Sequence, residues 1–451
     1  MHLSLIHPCI GRRPGQRYIR SWQMEPLQPA LLAGLTPRDV TIAFHDDRME
    51  KIPFDAPTDV VAISVETYTA RRAYQIASEY RARGVPVVMG GFHATLCPEE
   101  VSRYAESVVL GEAEPVWPRL IDDARHGTLQ REYASNVRPD LAGLVYDRSI
   151  YHGKRYLPLG LVEAGRGCRF RCDFCAITRF FEASHRLRPV HEIVAELERL
   201  KGSKRLFFFV DDNFAGNIKA AKELVRALIP LDIRWVTQMS INAAHDEEFL
   251  SLLARSGCMG VLIGFESLDP VVLASMRKQF NTMRGGYAVA LEALRRHAIR
   301  VYGTFVFGYD SDTADSFAQA LDMALGGNFY IAAFNHLTPF PATPLYERLR
   351  DEGQLLHEAW WLDPQYRYNR VPFRPRGLSP EEIEHHCVAT RRSFYSWPSI
   401  LSRATARVNR RDAWMLANYL VINAMHQWDI DGRNGLPLGD ETWQGSLVHA
   451  A

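Results

Sequence analysis

Cysteine is scarce in this chain: seven residues in 451 are too few for a disulfide-stabilised fold and predict a reducing compartment. Excess charge is also missing, since 53 Lys and Arg face 52 Asp and Glu, whereas a dedicated nucleic-acid binder normally carries a basic excess. No apolar run reaches the roughly 18–20 residues that span a bilayer, and residues 1–8 lack the features of a signal peptide. These absences predict a cytoplasmic protein with no membrane and no nucleic-acid partner.

Alternating strand and helix patterns fill the first third of the chain. Short apolar runs at 3–8, 41–45, 60–65, 86–91 and 108–110 alternate with helical patterns such as 70–82. This alternation predicts a doubly wound, Rossmann-like parallel sheet with helices on both faces, over residues 1–135. Such sheets bind ligands at the carboxyl ends of their strands, where the segments 90–93 and 111–114 would lie.

A second strand–helix series begins near residue 157, after a polar stretch at 136–156 that we interpret as a linker. Six apolar strands at 159–163, 206–211, 234–239, 261–266, 301–308 and 331–337 predict a central partial (β/α)6 barrel over 157–347. An open six-stranded arc satisfies the same pattern. Prolines and aromatic residues then precede helical patterns at 380–397 and 411–427, which predict a mainly helical C-terminal appendage over 348–451.

Three of the seven cysteines, Cys168, Cys172 and Cys175, fall within eight residues directly after the first barrel strand. They therefore lie at the face where βα barrels place their active sites. Three thiolates at this spacing suit three corners of an iron–sulfur cube, leaving one iron open to a small ligand. A structural zinc site is the alternative, but it normally has four protein ligands, and no second cysteine pair is present.

The C-x3-C-x2-C motif, with Phe174 just before its last cysteine, resembles the signature of the radical S-adenosylmethionine (SAM) superfamily. The resemblance implies that Cys168, Cys172 and Cys175 ligate a [4Fe–4S] cluster whose open iron chelates SAM. In that family, an electron from the cluster cleaves a carbon–sulfur bond of SAM, usually forming a 5′-deoxyadenosyl radical. Phe174 is similar to the residue that contacts the adenine.

The ends of the later strands resemble the SAM-contacting positions of the family. These positions are Asp211, Asp212 and Asn213 for the amino group, Gln238, Ser240 and Glu266 for the ribose and methionine, and Gly303 beside the adenine. Structural roles compete with each assignment: a helix N-cap for the two aspartates, a surface loop for Glu266, and a barrel corner or bulge for Gly303. His336, in a segment that resembles the sixth strand end of one subgroup, is either a substrate contact or a structural histidine.

The N-terminal sheet resembles the cobalamin-binding domain of that subgroup, and the likeness extends over nearly the whole chain. Gly90 and Gly91 would let a flat macrocycle or a nucleotide tail approach the strand ends. His93 is assigned either to the cofactor or to a turn. The D-x-H-x-x-G motif that supplies a cobalt ligand in cobalamin mutases is absent, so a Rossmann-like domain without cobalamin, shaping the substrate pocket, remains an alternative.

Together, these features predict a radical SAM enzyme, a transferase that modifies a small metabolite and draws electrons from a reductant such as flavodoxin or ferredoxin. With cobalamin bound, the resemblance implies methyl transfer. Two alternatives stay open: transfer of the 3-amino-3-carboxypropyl group of SAM to a small acceptor, conceivably a metalloid, without cobalamin, and a non-enzymatic metal-binding or electron-transfer protein.

Overall fold

Two six-stranded parallel sheets and a C-terminal group of helices make up the computed structural model, which describes residues 1–19, 23–411 and 413–450. The predicted fold class is confirmed. The strands are β1 (His2–His7), β2 (Gly11–Arg12), β3 (Thr41–Asp46), β4 (Val60–Ser64), β5 (Val87–Gly90), β6 (Ser107–Leu110), β7 (Glu132–Ala134), β8 (Leu159–Val162), β9 (Gly165–Arg166), β10 (Arg186–Leu187), β11 (Leu206–Phe209), β12 (Trp235–Gln238), β13 (Cys258–Glu266), β14 (Arg300–Phe307), β15 (Ile331–His336) and β16 (Gly439–Asp440).

Sixteen α-helices connect and cover these strands in the described chain. They are α1 (Leu27–Leu35), α2 (Ala70–Arg81), α3 (Phe92–Leu96), α4 (Pro98–Val101), α5 (Trp117–His126), α6 (Ala176–Phe181), α7 (Val190–Leu200), α8 (Ile218–Leu228), α9 (Glu247–Arg255), α10 (Pro270–Ser275), α11 (Gly286–Arg296), α12 (Ala314–Gly326), α13 (Pro344–Asp351), α14 (Pro380–Phe394), α15 (Trp397–Ala404) and α16 (Ala413–Arg433). Short 3₁₀ helices cover Thr67–Thr69, Arg148–Tyr151, Ile229–Leu231, Ile241–His245 and Gln279–Gly285.

The first sheet has the strand order β3-β1-β4-β5-β6-β7 with every pair parallel. Its strands are apolar on both sides because α1 and α5 cover one face and α2 covers the other. After β1 the chain crosses to β3 on one side of β1, and it then crosses back to β4 on the opposite side of β1. This reversal opens a crevice at the carboxyl ends of β1 and β4, the usual ligand position in such sheets.

The second sheet runs β8-β11-β12-β13-β14-β15, with neighbouring strands parallel. β8 and β15 form its two edges, so it is the open arc rather than a closed barrel. Its largest core lies between the strands and helices α7 to α12. On the concave side, the amino ends of the strands leave an apolar lumen of about 220 Å³, which Trp414 and Ile422 of α16 help to line.

The C-terminal region packs on both preceding units. Ile383, Cys387 and Phe394 of α14 belong to the barrel core, but Trp360 and Trp361 belong to the core of the first sheet. β16 pairs with β2, which brings the chain end back to the N-terminal domain. Of the helix predicted over 411–427, Asp412 lies outside the described residues.

The segment interpreted as a linker is packed against both domains. Tyr151 is buried and donates a hydrogen bond to the carbonyl of Pro26, and Arg148 forms ion pairs with Glu25 and Glu196. The polar composition of this segment therefore reflects ion pairing between the two domains rather than free solvation. In the part of the chain that the structure describes, no helix is both long and apolar enough to cross a membrane.

Candidate active site

The three clustered cysteines lie on a loop that leaves the carboxyl end of β8. Two carboxylates from the neighbouring strand end position the start of this loop: Asp211 accepts a hydrogen bond from the Ala164 N–H at 3.1 Å, and Asp212 accepts one from the Gly167 N–H at 2.7 Å. Burial raises the pKa of Asp211 well above its usual value and the pKa of Asp212 to about 6. Both side chains therefore support the cysteine loop, and neither caps α8, whose N-cap is Asn217.

Hydrogen-bond donors surround two of the three sulfurs. The Cys168 sulfur accepts from the Phe170 N–H and from the Asn213 side chain, the latter at 3.7 Å. The Cys175 sulfur accepts from the N–H groups of Ile177 and Thr178 at the start of α6. Such donors stabilise thiolates, and they are the usual surroundings of cysteines that ligate iron–sulfur clusters.

The third cysteine, Cys172, is buried, and this burial raises the pKa of its thiol to about 12, an effect that the nearby Lys278 ammonium partly opposes. Among the described residues, no three His, Cys, Asp or Glu side chains converge as ligands of a single metal ion. A cubane takes one thiolate on each of three separate irons. The donor set and its surroundings fit that group.

Asn213 connects the cysteine loop to the next strand end. Its side-chain amide donates to Cys168, and its side-chain oxygen accepts from the Ser240 N–H at 3.1 Å. Gln238 is the last residue of β12, and its carbonyl accepts from the Phe214 N–H at 3.0 Å. The structure thus brings Asn213, Gln238 and Ser240 together at one edge of the sheet.

Glu266 ends β13 in a left-handed conformation, with φ of 63°, and its side chain is buried. Its carboxylate pairs with Lys278 at 2.5 Å, and the same ammonium donates to the Gly264 carbonyl at 3.0 Å. Strained backbone of this kind persists where the surroundings enforce it, and it is concentrated at functional sites. The sequence did not single out Lys278, which lies in an unpatterned loop after α10.

Hydrogen bonds and aromatic packing hold the part of the cysteine loop around Asp173 and Phe174. The Tyr309 hydroxyl donates to the Asp173 carboxylate at 2.8 Å, and the Asp173 N–H donates to the Met276 carbonyl. Phe174 is half-buried and packs against the barrel core. His336, at the end of β15, is buried, which lowers the pKa of its imidazole to about 3.

Gly303 lies in the middle of β14, facing the core between the sheet and its helices. A Cβ at this position would lie 2.3 Å from Cε2 of Phe329 and 3.3 Å from Cδ2 of Phe265. The missing side chain therefore makes room for the Phe329 ring. The predicted adenine contact involves only the backbone of Gly303 and stays a prediction.

Replacing Gly303 with alanine is expected to lower the free energy of unfolding by about 1–3 kcal/mol, because the added methyl group overpacks a filled core. Denaturant unfolding measures this loss. Gly326→Ala is the matched control, since a Cβ there would meet no atom within 4 Å. If both variants have equal stability, the packing explanation for Gly303 is wrong.

A cavity of about 290 Å³ lies where the carboxyl ends of the first sheet face the cysteine side of the barrel. Gly90 and Gly91 contribute to its wall from the first domain, and Asp212 contributes from the barrel. Gly91 has φ of 102°, which favours glycine at this strand end. An apolar recess continues between the first sheet and two of its helices, formed by Leu27, Leu31, Leu32, Val88, Val109 and Trp117.

His93 does not line this cavity. It is fully buried beside Trp361, with one ring nitrogen 3.1 Å from the Glu100 carboxylate and the other 3.3 Å from the Thr67 hydroxyl. Helix α3 begins directly after Gly91 and turns this side chain into the core of the first domain. The lining contains no histidine among the described residues, which agrees with the missing D-x-H-x-x-G motif.

Ion pairs close the cavity where the two domains meet. Glu112 and Glu114, from the loop after β6, both pair with Arg166 at the start of the cysteine loop, and Glu112 also pairs with Arg186. All four side chains are largely buried, so the pairs sit in a low-dielectric interface where breaking one leaves a charge uncompensated. The sequence placed 111–114 at a strand end but could not identify these partners.

Glu66, which follows β4, is a carboxylate on the cavity wall whose pKa is strongly raised. Glu66 lines the cavity and is exposed to it, and desolvation raises the pKa of its carboxyl to about 7. A carboxyl group in this position stays protonated in mildly acidic solution and then donates a hydrogen bond.

The raised pKa of Glu66 predicts a pH-dependent stability for the ligand-free protein. Between its ordinary pKa of 4.5 and about 7, the unfolded chain ionises while the folded chain keeps the proton, so stability falls as pH rises and levels off above 7. Relative to Glu66→Gln, the wild type is expected to lose about 1 kcal/mol across this range, a value discounted because the side chain is open to the cavity. Denaturant unfolding of both proteins from pH 5 to pH 8 checks this, and a constant difference would contradict it.

Comparison with known proteins gives the family. The model of the radical SAM superfamily matches residues 162–324, which include all three clustered cysteines. The bacteriochlorophyllide d C-12(1)-methyltransferase of Chlorobaculum tepidum is 33% identical over 389 residues, covering 84% of each chain. The hopanoid C-2 methylase of Rhodopseudomonas palustris is 26% identical and matches 74% of this chain and 66% of its own length.

The chain belongs to the radical SAM superfamily. It is therefore an enzyme that uses a [4Fe–4S] cluster and SAM, as predicted, and the zinc-site and electron-carrier alternatives are overturned. In fold, it is similar to the radical SAM methyltransferase TsrM from Kitasatospora setae, solved with cobalamin and a [4Fe–4S] cluster: the TM-score is 0.64 at 16% identity, covering 95% of this chain and 99% of TsrM. The radical SAM enzyme OxsB gives a TM-score of 0.66 at 14% identity, covering 95% and 72%.

Proposed function

We propose that this radical SAM enzyme is a cobalamin-dependent methyltransferase that adds a methyl group to an unreactive carbon of a small, largely apolar molecule. The observation that carries the proposal is the cavity of about 290 Å³ between the two domains. One wall is the carboxyl edge of a Rossmann-like sheet, and the other is formed by residues next to the cysteine loop. A cofactor held there would face the barrel side on which SAM is cleaved.

A cavity of this volume holds only part of cobalamin, and its lining suits that part. The glycines at the end of β5 pack closely against their own domain, since a Cβ at Gly91 would lie 3.0 Å from the Val65 carbonyl oxygen. The apolar recess along α1 and α5 suits an aromatic nucleotide base. Glu66 is a suitable donor to a polar substituent of the ring, because the pKa of its carboxyl is raised to about 7. When bound, cobalamin supplies methyl-transfer chemistry that no side chain offers.

On the barrel side, the residues act by binding and orientation. Cys168, Cys172 and Cys175 hold the cluster. Asp212, on the cavity wall, is the carboxylate best placed to meet the SAM ammonium, since a charged amino group in a partly dry site requires an acceptor. Phe174, Asn213, Gln238, Ser240 and Gly303 complete the proposed SAM site.

Glu266 enters this proposed site already paired with Lys278. The pair fixes the position of the carboxylate, so that its remaining lone pairs point in set directions for SAM hydroxyl or amino groups. Asp211 is assigned a positioning role, since its carboxylate accepts from the loop that precedes the cysteines.

Two observations favour an apolar acceptor. On the barrel side, the cavity between the domains is lined by the apolar side chains of Ile177, Phe180 and Phe181 from α6. The relatives named above are a bacteriochlorophyllide methyltransferase and a hopanoid methylase, and both names refer to large, apolar carbon skeletons. We therefore propose a tetrapyrrole of the bacteriochlorophyllide class as the first acceptor to test.

Product analysis tests the proposal. Anaerobically purified protein, loaded with iron, sulfide and cobalamin, is incubated with methyl-labelled SAM, dithionite and a bacteriochlorophyllide. Methyl transfer predicts S-adenosylhomocysteine, 5′-deoxyadenosine and labelled acceptor. Methylthioadenosine as the main product would instead establish aminocarboxypropyl transfer and overturn the proposal.

A further inference from the structure

Four exposed arginines lie on the cysteine loop or on segments next to it. Arg169 and Arg171 lie between Cys168 and Cys172 in the sequence. Arg179 belongs to α6, the helix that begins directly after Cys175. Arg277 follows Met276, whose carbonyl accepts a hydrogen bond from the loop. All four side chains are exposed. Over the described residues 1–19, 23–411 and 413–450, none of the four forms a side-chain hydrogen bond or an ion pair. We call them the cysteine-loop arginines.

Nearby carboxylates offset this positive charge only in part, since Asp173 is close enough to Arg277 to sense its charge. Asp173 points inward and bonds Tyr309, and Glu182 is already paired with Arg138 at 3.1 Å. The interface arginine Arg166, in contrast, contacts three carboxylates. The chain as a whole has a net charge of only +1, so the positive field at the cysteine loop is local.

We propose that the cysteine-loop arginines are the docking surface for an acidic one-electron carrier protein. The inference rests on the proposed function, because reductive SAM cleavage consumes an electron that the chain itself does not supply. Exposed, unpaired charges add little to stability, but they steer an oppositely charged partner and orient it as it approaches. Arg169 and Arg171 are next to the proposed cluster ligands in the chain, so a carrier bound here sits close to the electron's destination.

The proposed step transfers one electron from the carrier protein to the enzyme. The reduced carrier loses one electron, the enzyme's iron–sulfur site gains it, and no bond forms or breaks between the two proteins. A flavodoxin hydroquinone becomes a semiquinone, and a reduced ferredoxin becomes oxidised. The carrier then dissociates, which requires a salt-sensitive contact rather than a permanent interface.

Charge reversal tests the proposal with an acidic flavodoxin as the probe. Arg179→Glu/Arg277→Glu is the first variant, since neither residue lies between two cysteines, and Arg169→Glu/Arg171→Glu is the second. Arg255→Glu, at the far end of α9, is the control, because Arg255 is also exposed and lacks an ion pair among the described residues. Flavodoxin binding is measured by fluorescence anisotropy on cluster-loaded protein, and SAM cleavage is measured with flavodoxin and with saturating dithionite.

Both double variants are expected to weaken flavodoxin binding and raise its KM at least about tenfold. Arg179→Glu/Arg277→Glu is also expected to keep its kcat and its dithionite rate, because neither residue lies between two cysteines. Added salt is expected to weaken wild-type binding and to leave the variants nearly unaffected. If the double variants bind flavodoxin as Arg255→Glu does, the docking proposal is wrong. Preferential binding of RNA at this surface, competing with flavodoxin, would also overturn it.

The binding measurement separates this proposal from the proposed function. If the protein binds flavodoxin through these arginines but cleaves no SAM with either reductant, the proposed function fails and the docking surface stands. If SAM is cleaved with dithionite and flavodoxin shows no charge-dependent binding, the docking surface fails and the proposed function stands.

Discussion

Replacing Cys172 with alanine is expected to reduce reductive SAM cleavage to below about a thousandth of the wild-type rate, because the three thiolates act as one unit. Loss of a single thiolate leaves the cluster with two protein ligands and a second open iron. The pKa of the Cys172 thiol, raised to about 12 by burial, also means that this cysteine has little thiolate character unless iron binds it. Iron and sulfide content, visible absorption and 5′-deoxyadenosine formation under dithionite measure the effect.

Cys258→Ala is the matched control for this prediction. Cys258 is also buried and free, but it begins β13, and its thiol contacts the Gly260 carbonyl. The variant is expected to keep its cluster and its cleavage rate, at a modest cost in stability for the lost sulfur. If Cys172→Ala keeps a full complement of iron and cleaves SAM at the wild-type rate, the cluster assignment is wrong.

Most strands of the two large sheets could be predicted because apolar neighbours cover them on both faces. β1, β4 and β5 are covered on both faces, so each appears as a continuous apolar run bounded by polar or glycine residues. β7 was missed because only Tyr133 of its three residues is buried. β2 and β16 were missed because each has two residues, and the partners are more than 400 positions apart in the sequence.

The positions of the candidate site residues could be predicted from the ends of the strands. Their hydrogen-bond and ion-pair partners could not. Placing Asp211, Asp212 and Glu266 required only the rule that parallel strands present their carboxyl ends at one edge. Lys278, the partner of Glu266, comes from a loop with no periodic pattern, and only the folded chain brings it within 2.5 Å. The sequence offered one usable signal, a cation twelve positions after an isolated buried carboxylate, which is too weak to act on alone.

His93 illustrates the limit of local reasoning. Its position after Gly90 and Gly91 at a strand end made it a cofactor candidate. The direction of its side chain depends on where α3 begins, and it is then fixed by Glu100 and by Trp361, which arrives from the C-terminal region. A contact between residues separated by 268 positions cannot be read from a local motif.

Filling the cavity between the domains with a larger side chain is expected to reduce cobalamin binding and methyl transfer but to leave SAM cleavage by the cluster intact. Ala113 lines the cavity, and its carbonyl, rather than its side chain, holds the first turn of α5. In Ala113→Trp, the indole would occupy space that the proposal assigns to cobalamin, and the cysteine loop would keep its own contacts. Bound cobalamin is therefore expected to fall at least about tenfold, equivalent to about 1.4 kcal/mol of binding free energy, and methyl transfer is expected to fall with it.

The same variant is expected to keep its iron content and its dithionite-driven cleavage of SAM. The three cysteines are unchanged, and Asp212, the proposed SAM contact, belongs to the barrel wall of the cavity, whereas Ala113 belongs to the wall of the first domain. Arg119→Trp is the matched control: it adds the same ring to α5 at a largely exposed position. Cobalamin content after anaerobic purification and the ratio of S-adenosylhomocysteine to 5′-deoxyadenosine measure the outcome. If Ala113→Trp retains cobalamin and methyl transfer at control levels, the cavity is not the cobalamin site. If it loses SAM cleavage as well, the cavity and the SAM site form one pocket, and the assignment of separate walls must be revised.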